Sequence, residues 1–159
     1  MDKRTLEKVR AISEEFFGTK DDPNQIPITA ESHSKFLRLH PRSMIYKMED
    51  GPPVCWVLVL PTTKKLASRF LVGEINERQL LDMTEPLAVY DALYLCSAFT
   101  VPAYRNKGYA ALLLKDCVQG IPLTEDPMIF AWIFSEEGGR IVEKLGQELG
   151  RNIEIRKDS

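Results

Sequence analysis

Residues 93–119, LYLCSAFTVPAYRNKGYAALLLKDCVQ, constrain the fold more tightly than any other part of the chain. From 93 to 101 the run is apolar and rich in β-forming residues, which reads as a buried strand. Pro102 stops it, because proline cannot donate to a ladder. The second half predicts an amphipathic helix. Ala110, Leu113, Leu114, Cys117 and Val118 share one face, with Lys107, Ala111, Lys115 and Gln119 pointing away. Between the two lies a small-residue turn, Tyr104-Arg105-Asn106-Lys107-Gly108-Tyr109-Ala110. A helix start carries unpaired N–H groups and the positive end of the dipole. Gly108 and Ala110 would let an anion approach the backbone, and Arg105 and Lys107 add positive charge. A strand running into such a turn is a recurring phosphate cradle. No Gly-Lys-Ser/Thr follows, so it is not a Walker loop, and the three-glycine spacing of a dinucleotide fingerprint is absent.

Length and composition narrow the classes. A chain of 159 residues suits one domain with a substantial core. A net charge of −2 without a basic block argues against nucleic acid as a partner. No apolar run approaches the roughly 20 residues of a membrane helix, and the charged start MDKRTLEKVR does not resemble a secretory leader. Cys55, Cys96 and Cys117, all in apolar segments, lack metal-type spacing and fit buried thiols in a reducing cytoplasm.

The remaining elements follow from periodicity. Residues 3–17 predict a helix with Leu6, Val9, Ile12, Ser13, Phe16 and Phe17 on one face. Residues 29–40 predict a second, N-capped by Thr29. Its His33, Phe36, Leu37 and His40 share a face, and the two histidines are either edge packing or acceptor-side groups. They sit about 10 Å apart along the axis, too far to chelate one metal easily, so no metal is expected. Residues 42–49 and 53–60 predict a hairpin across Asp50-Gly51-Pro52. The second strand is apolar on both faces and so belongs inside the sheet. Residues 62–84 predict two short helices around Gly73, either a shaper of the acceptor pocket or a cover over a sheet edge. Residues 128–134 predict a second buried strand, parallel to the first across the intervening helix. A helix over 136–149, with a Glu136–Arg140 pair, and a short strand over 152–156 complete the chain.

The run Val101-Pro102-x-x-Arg105-x-x-Gly108-x-Ala110-x-x-Leu113-Leu114 resembles motif A of the GCN5-related N-acetyltransferases, the GNAT superfamily. Ser135, Gly138, Ile141, Val142, Lys144 and Gly146 resemble the family's second block. The likeness spans residues 92–157 and reaches back over the hairpin. It implies an α/β (α+β) fold, a central mixed sheet flanked by helices. It implies one GNAT-like domain over 1–159, with a helical part at 1–40, a helical insertion at 62–84 and a cofactor-binding core at 92–157. The family's first strand would have to come from residues 25–28.

The resemblance also implies a reaction. An amine, on a small molecule or a peptide, attacks the thioester of acetyl-CoA directly. Backbone N–H groups of Asn106, Lys107, Gly108, Tyr109 and Ala110 would hold the pyrophosphate beside Arg105, and the backbone of Phe99, Thr100 and Val101 would align the pantetheine arm. Two departures bear on catalysis. Val142 stands where many members carry a tyrosine that protonates the leaving thiolate. The central strand, with Ala92, Tyr94 and Ser97, lacks the carboxylate base some members place there, and Asp91 is the nearest acid. Tyr94 and Ser135 are the candidate proton donors. Three readings are open: an N-acetyltransferase, a non-catalytic acyl-CoA binding or sensing module, and an interaction domain with an empty site. The protein would be cytoplasmic and a monomer or homodimer.

Overall fold

The computed structural model describes residues 3–17, 26, 27 and 29–157, with the side chains of the first helix described through residue 12. In chain order the elements are α1 (Lys3–Phe17), α2 (Ala30–Leu39), β1 (Met44–Met48), β2 (Pro53–Thr62), α3 (Lys64–Leu71), α4 (Glu77–Met83), β3 (Tyr90–Thr100), α5 (Tyr109–Gly120), β4 (Leu123–Ala131), α6 (Glu136–Leu149) and β5 (Glu154–Ile155). The five strands lie in the order β1-β2-β3-β4-β5. β2 runs antiparallel to both of its neighbours, β1 and β3, and β3, β4 and β5 are parallel.

Strict alternation along β2 builds two cores. Trp56, Leu58 and Leu60 face one, with α1 to α4 packed over them. Cys55, Val57 and Val59 face the other, under α5 and α6. All ten β2 residues are buried, as an interior strand covered on both faces requires. The hairpin before it turns through Asp50 and Gly51, whose φ of 54° and 113° place both in the left-handed region that such turns use.

The helices over 3–17, 29–40 and 136–149 form as their periodicity predicts, and Thr29 caps α2 by accepting from the Ser32 N–H. Two expectations are corrected. β4 spans Leu123–Ala131 rather than 128–134. It starts early because Leu123 pairs with Tyr90 across an irregularity, and it ends early because the chain turns aside at Trp132 to enter α6. Ala111, expected to face away from the core, is buried, because α5 is packed against α6 as well as the sheet. The strand expected over 25–28 lies partly outside the described residues, and Ile26 and Pro27 are not in a strand.

Residues 62–84 fold into α3 and α4 around Gly73. Their ends are pinched together by buried hydroxyls: Thr62 and Thr84 are hydrogen-bonded at 2.8 Å, and Thr84 donates to the Leu80 carbonyl at 2.7 Å. Arg156 closes the loop from outside. It donates to the Ile75 carbonyl at 3.0 Å while its guanidinium stacks 3.9 Å over Trp132 and 4.6 Å over Phe70. Among the described residues no helix is long and apolar enough to cross a membrane, and the three cysteines are free thiols.

Candidate active site

The site begins where two parallel strands part. β3 pairs with β4 only from Tyr90 to Leu95, whose partner Ala131 is the last residue of β4. β3 continues to Thr100 with β2 on one side and no β4 on the other. At the fork β3 also carries a bulge. Ser97 lies opposite Leu58 and Leu95 opposite Val59, so Cys96 is the extra residue. The bulge reverses the facing of the strand. Leu95 and Ala98 both pack into the α5–α6 core, where a regular strand would put them on opposite faces.

The fork is a passage through the sheet. A cavity of about 100 Å³ is lined by Cys96, Ser97 and Ala98 on β3 and by residues 132–135 beyond β4. Leu114, Ile141 and Val142 bound it on the α5–α6 side, and Ile26, Leu58 and Glu77 on the other. The edge of β3 facing it has backbone groups to offer. Val101 donates its N–H to the Val54 carbonyl at 2.9 Å, so hydrogen-bonded pairing with β2 falls on Val101 and, two residues back, Phe99. By alternation Ala98 and Thr100 present theirs to the fork. Of the stretch 99–101 expected to align a ligand arm, only Thr100 therefore points its backbone the right way, and Ala98 joins it. The Phe99 side chain turns instead into the other core, its ring 5.0 Å from Trp56.

Ile141 also lines a second, wider cleft of about 410 Å³ at the start of α5. Here the turn expected to cradle an anion takes shape. Pro102–Tyr104 forms a single 3₁₀ turn, Asn106 adopts φ 67°, and Gly108 caps α5 at φ 78°. Among the described residues no side chain caps this helix, and a helix start without such a cap offers its first N–H groups to water or a ligand. A Cβ on Gly108 would come within 2.9 Å of Lys144 Nζ. The α6 lysine thus lies over the turn, and the glycine leaves room for it. Arg105 donates Nε to the Thr100 carbonyl at 2.9 Å and sits 3.5 Å from Glu137. Arg105, Asn106, Gly108, Tyr109 and Ala110 all line the cleft, with Arg140 and Lys144 across from them. Lys107 stands outside it, its ammonium 5.1 Å from the Tyr104 ring.

The four residues singled out for proton transfer or acceptor contact scatter. Ser135 lines the passage and caps α6, its Oγ accepting from the Gly138 N–H at 3.0 Å. Tyr94 does not line it. Its ring is fully buried against Phe70 and Phe130. Its hydroxyl donates to Glu77 Oε1. Burial, then the Glu77 charge, hold that hydroxyl's pKa well above the usual tyrosine value, so it stays protonated. His40 accepts the Arg42 N–H through Nδ1 at 3.0 Å and caps a turn. His33 is half-buried, and its Nε2 has no hydrogen-bond partner among the described residues. Neither histidine lines either cavity.

Glu77 is the residue sequence reasoning missed. It is 3% exposed, accepts from the Ile26 N–H at 3.3 Å as well as from Tyr94, and lines the passage. A signal existed: Glu77, Leu80 and Leu81 stand at i, i+3 and i+4 and share the buried face of α4. The cavity also brings in the Cys96 thiol, whose pKa is pushed well up by burial and then by the Glu77 charge. Among the described residues no three His, Cys, Asp or Glu side chains gather as a metal site.

No family model and no curated protein matches this sequence. Solved structures do match its shape. GphF, a GNAT-like decarboxylase solved with isobutyryl-CoA, is 18% identical with a TM-score of 0.54. That match covers 75% of this chain and 55% of GphF, so the chain spans little more than half its length. The acetyltransferase AAC(6')-Iy, solved with a bisubstrate analogue, CoA-S-monomethyl-acetylneamine, is 17% identical with a TM-score of 0.53. That match covers 100% of this chain and 90% of the other. The fold is therefore the GNAT fold, a mixed five-stranded sheet flanked by helices.

Proposed function

We propose that this protein is an acyltransferase of the GNAT type, moving an acetyl group from acetyl-CoA to an amine. The observation that carries the reading is the adjacency of its two cavities, which share Ile141 as a wall residue. The helix start proposed to hold an anion lies next to the fork cavity between the diverging parallel strands, with Ile141 lining both. A long ligand with phosphates at one end and a thioester at the other fits that path. The fit rests on this chain's own features: an uncapped α5, a glycine that keeps Lys144 close, and an unpaired β3 edge.

Each residue then has a task. The N–H groups from Asn106 to Ala110, with Lys144 and Arg105 nearby, neutralise the diphosphate. Ala98 and Thr100 pair with the extended arm as a strand would. Ser135 already accepts at Oγ, and its own O–H, on the cavity wall, is the group assigned to donate to a leaving thiolate. Val142 offers no proton there. A thiol with a cysteine-like pKa near ~8.5 leaves tolerably without one, so the missing acid slows the reaction rather than preventing it. The free thiols fit a reducing cytoplasm.

Calorimetry with CoA, followed by acetyl transfer to a panel of amines, tests the reading. Saturable CoA binding with turnover is expected. CoA binding without turnover on any amine would instead identify the non-catalytic acyl-CoA module that the apolar Val142 wall also suits. Absence of CoA binding would overturn both.

A further inference from the structure

The fork cavity is larger and more apolar than an acetyl group requires. Leu95, Leu114, Ala131, Ile141 and Val142 line it, and all five belong to the core under α5 and α6. Of the polar side chains on its wall, Glu77 accepts from the Tyr94 O–H and the Ile26 N–H, and Ser135 accepts from the Gly138 N–H. The cavity volume is about 100 Å³. A water-sized group takes up about 30 Å³, so the space fits about three groups the size of a methyl or methylene. Acetyl brings a single carbon beyond its carbonyl, and butyryl brings a chain that fills the space. An acetyl group alone would leave much of the lining without partner atoms, and a lining without partners forfeits its dispersion contacts.

We propose that the fork is an acyl pocket for donors longer than acetyl, a propionyl or butyryl group, and that Val142 sets the chain length. The inference rests on the acyl-CoA reading above and widens its donor. An arm lying along the unpaired edge of β3, at Ala98 and Thr100, brings its thioester to the fork, where Leu95, Leu114 and Val142 receive the alkyl chain. Each methylene taken from water into such a wall is worth about fourfold in affinity. The gain ends when the space is full, because a longer chain must displace packed side chains, and overpacking costs more than a further methylene returns. Leu95, Leu114 and Ala131 are buried and fixed by the sheet and α5, whereas Val142 is half-buried on α6. Val142 is therefore the wall residue whose size can change with the least disturbance of the core. The transfer step itself is unaltered. The amine nitrogen bonds to the acyl carbon, the C–S bond breaks, and one amine proton ends on the sulfur.

The test is a binding series. CoA, acetyl-CoA, propionyl-CoA, butyryl-CoA and hexanoyl-CoA are titrated into the wild-type protein by calorimetry, which needs no variant to fold. Affinity should rise about fourfold from acetyl to propionyl and about fourfold again to butyryl. Hexanoyl-CoA should bind more weakly than butyryl-CoA. The series is then repeated on two variants. Val142→Phe, which fills the cavity, should place acetyl ahead of butyryl, and Val142→Ala should bring hexanoyl level with butyryl or ahead of it. Each order is read within one protein, so a change common to all donors cancels. CoA binding with no gain from acetyl to butyryl would overturn the proposal and leave the acyl-CoA reading standing. An order that both variants leave in place would overturn the role of Val142. Failure of all five ligands to bind would overturn the acyl-CoA reading and the proposal with it. Tight butyryl-CoA binding without transfer to any amine would uphold the pocket and identify the non-catalytic acyl-CoA module.

Discussion

The two ends of the proposed ligand path are built on opposite principles. The end at the start of α5 is local: Arg105 to Ala110 are consecutive, with Gly108 at φ 78° capping the helix. The fork end is assembled from a distance, with Ile26, Glu77, Tyr94 and Trp132 drawn from four segments of the chain. A local site depends on backbone geometry and survives changes in packing. An assembled site depends on the cores that bring its parts together. Perturbations should therefore separate the ends, ligand affinity responding at one and stability at the other.

Gly108→Asp should have the largest effect. It forces a side chain into the left-handed region, costing about 1–2 kcal/mol, and sets a carboxylate beside Lys144 where phosphates are expected. CoA affinity measured by calorimetry should fall by about 10² or more, since charge-assisted bonds are lost and a like charge is added. Gly108→Ala carries the strain without the charge and should lose markedly less. Equal losses in the two would show that backbone shape alone makes the site.

Tyr94→Phe probes the other end. It removes a buried donor from the Glu77 carboxylate while keeping the ring against Phe70 and Phe130. Hydrogen bonds to charged groups are worth about 1.5–3 kcal/mol, and urea unfolding should show a loss in that range. CoA affinity should stay within about twofold, far below the tenfold that one charge-assisted bond carries. A parallel fall in CoA affinity would mean that the two ends are coupled.

Lys144→Met returns to the first end with a smaller change. Removing one ammonium above the turn should weaken CoA binding by about tenfold and flatten its dependence on salt. Titrations at low and high ionic strength check both. An unchanged salt dependence would place Lys144 outside the phosphate field.

The same contrast decides what could be read from the sequence. Strand, turn and helix over 93–119 follow from consecutive residues, as do the two helices around Gly73. The fork does not. β4 reads as running to Phe134 because Trp132, Ile133 and Phe134 are apolar, yet those residues line a cavity instead of a ladder. The bulge at Cys96 is likewise invisible in a run where every residue suits a strand. Glu77 reads as a helix-former on an insertion, since only the folded chain shows that α4 turns that position inward beneath Tyr94. Period and turn chemistry are encoded locally, but the place where two strands diverge depends on what packs on either side.

The smallest effect concerns the histidines, which line neither cavity. Burial, aided by nearby positive charge, lowers the pKa of both His33 and His40 below the usual 6.5. The folded protein thus binds protons less readily at these sites than the unfolded chain. Stability is fully present above the unfolded value and falls as pH drops from about 6.5 toward the folded values, where the unfolded state takes up protons first. Carboxylates elsewhere also titrate on the way to acid, so wild type alone does not isolate the term. Comparing melting temperatures at pH 7.5 and 5.5 for wild type and the double variant His33→Gln, His40→Gln does. Wild type should lose slightly more on acidification, the effect kept small because both histidines are only partly buried and solvent screens them. Identical losses would show that the rings titrate alike in both states. A drop in kcat/KM for the amine in the same variant would put α2 at the acceptor site after all.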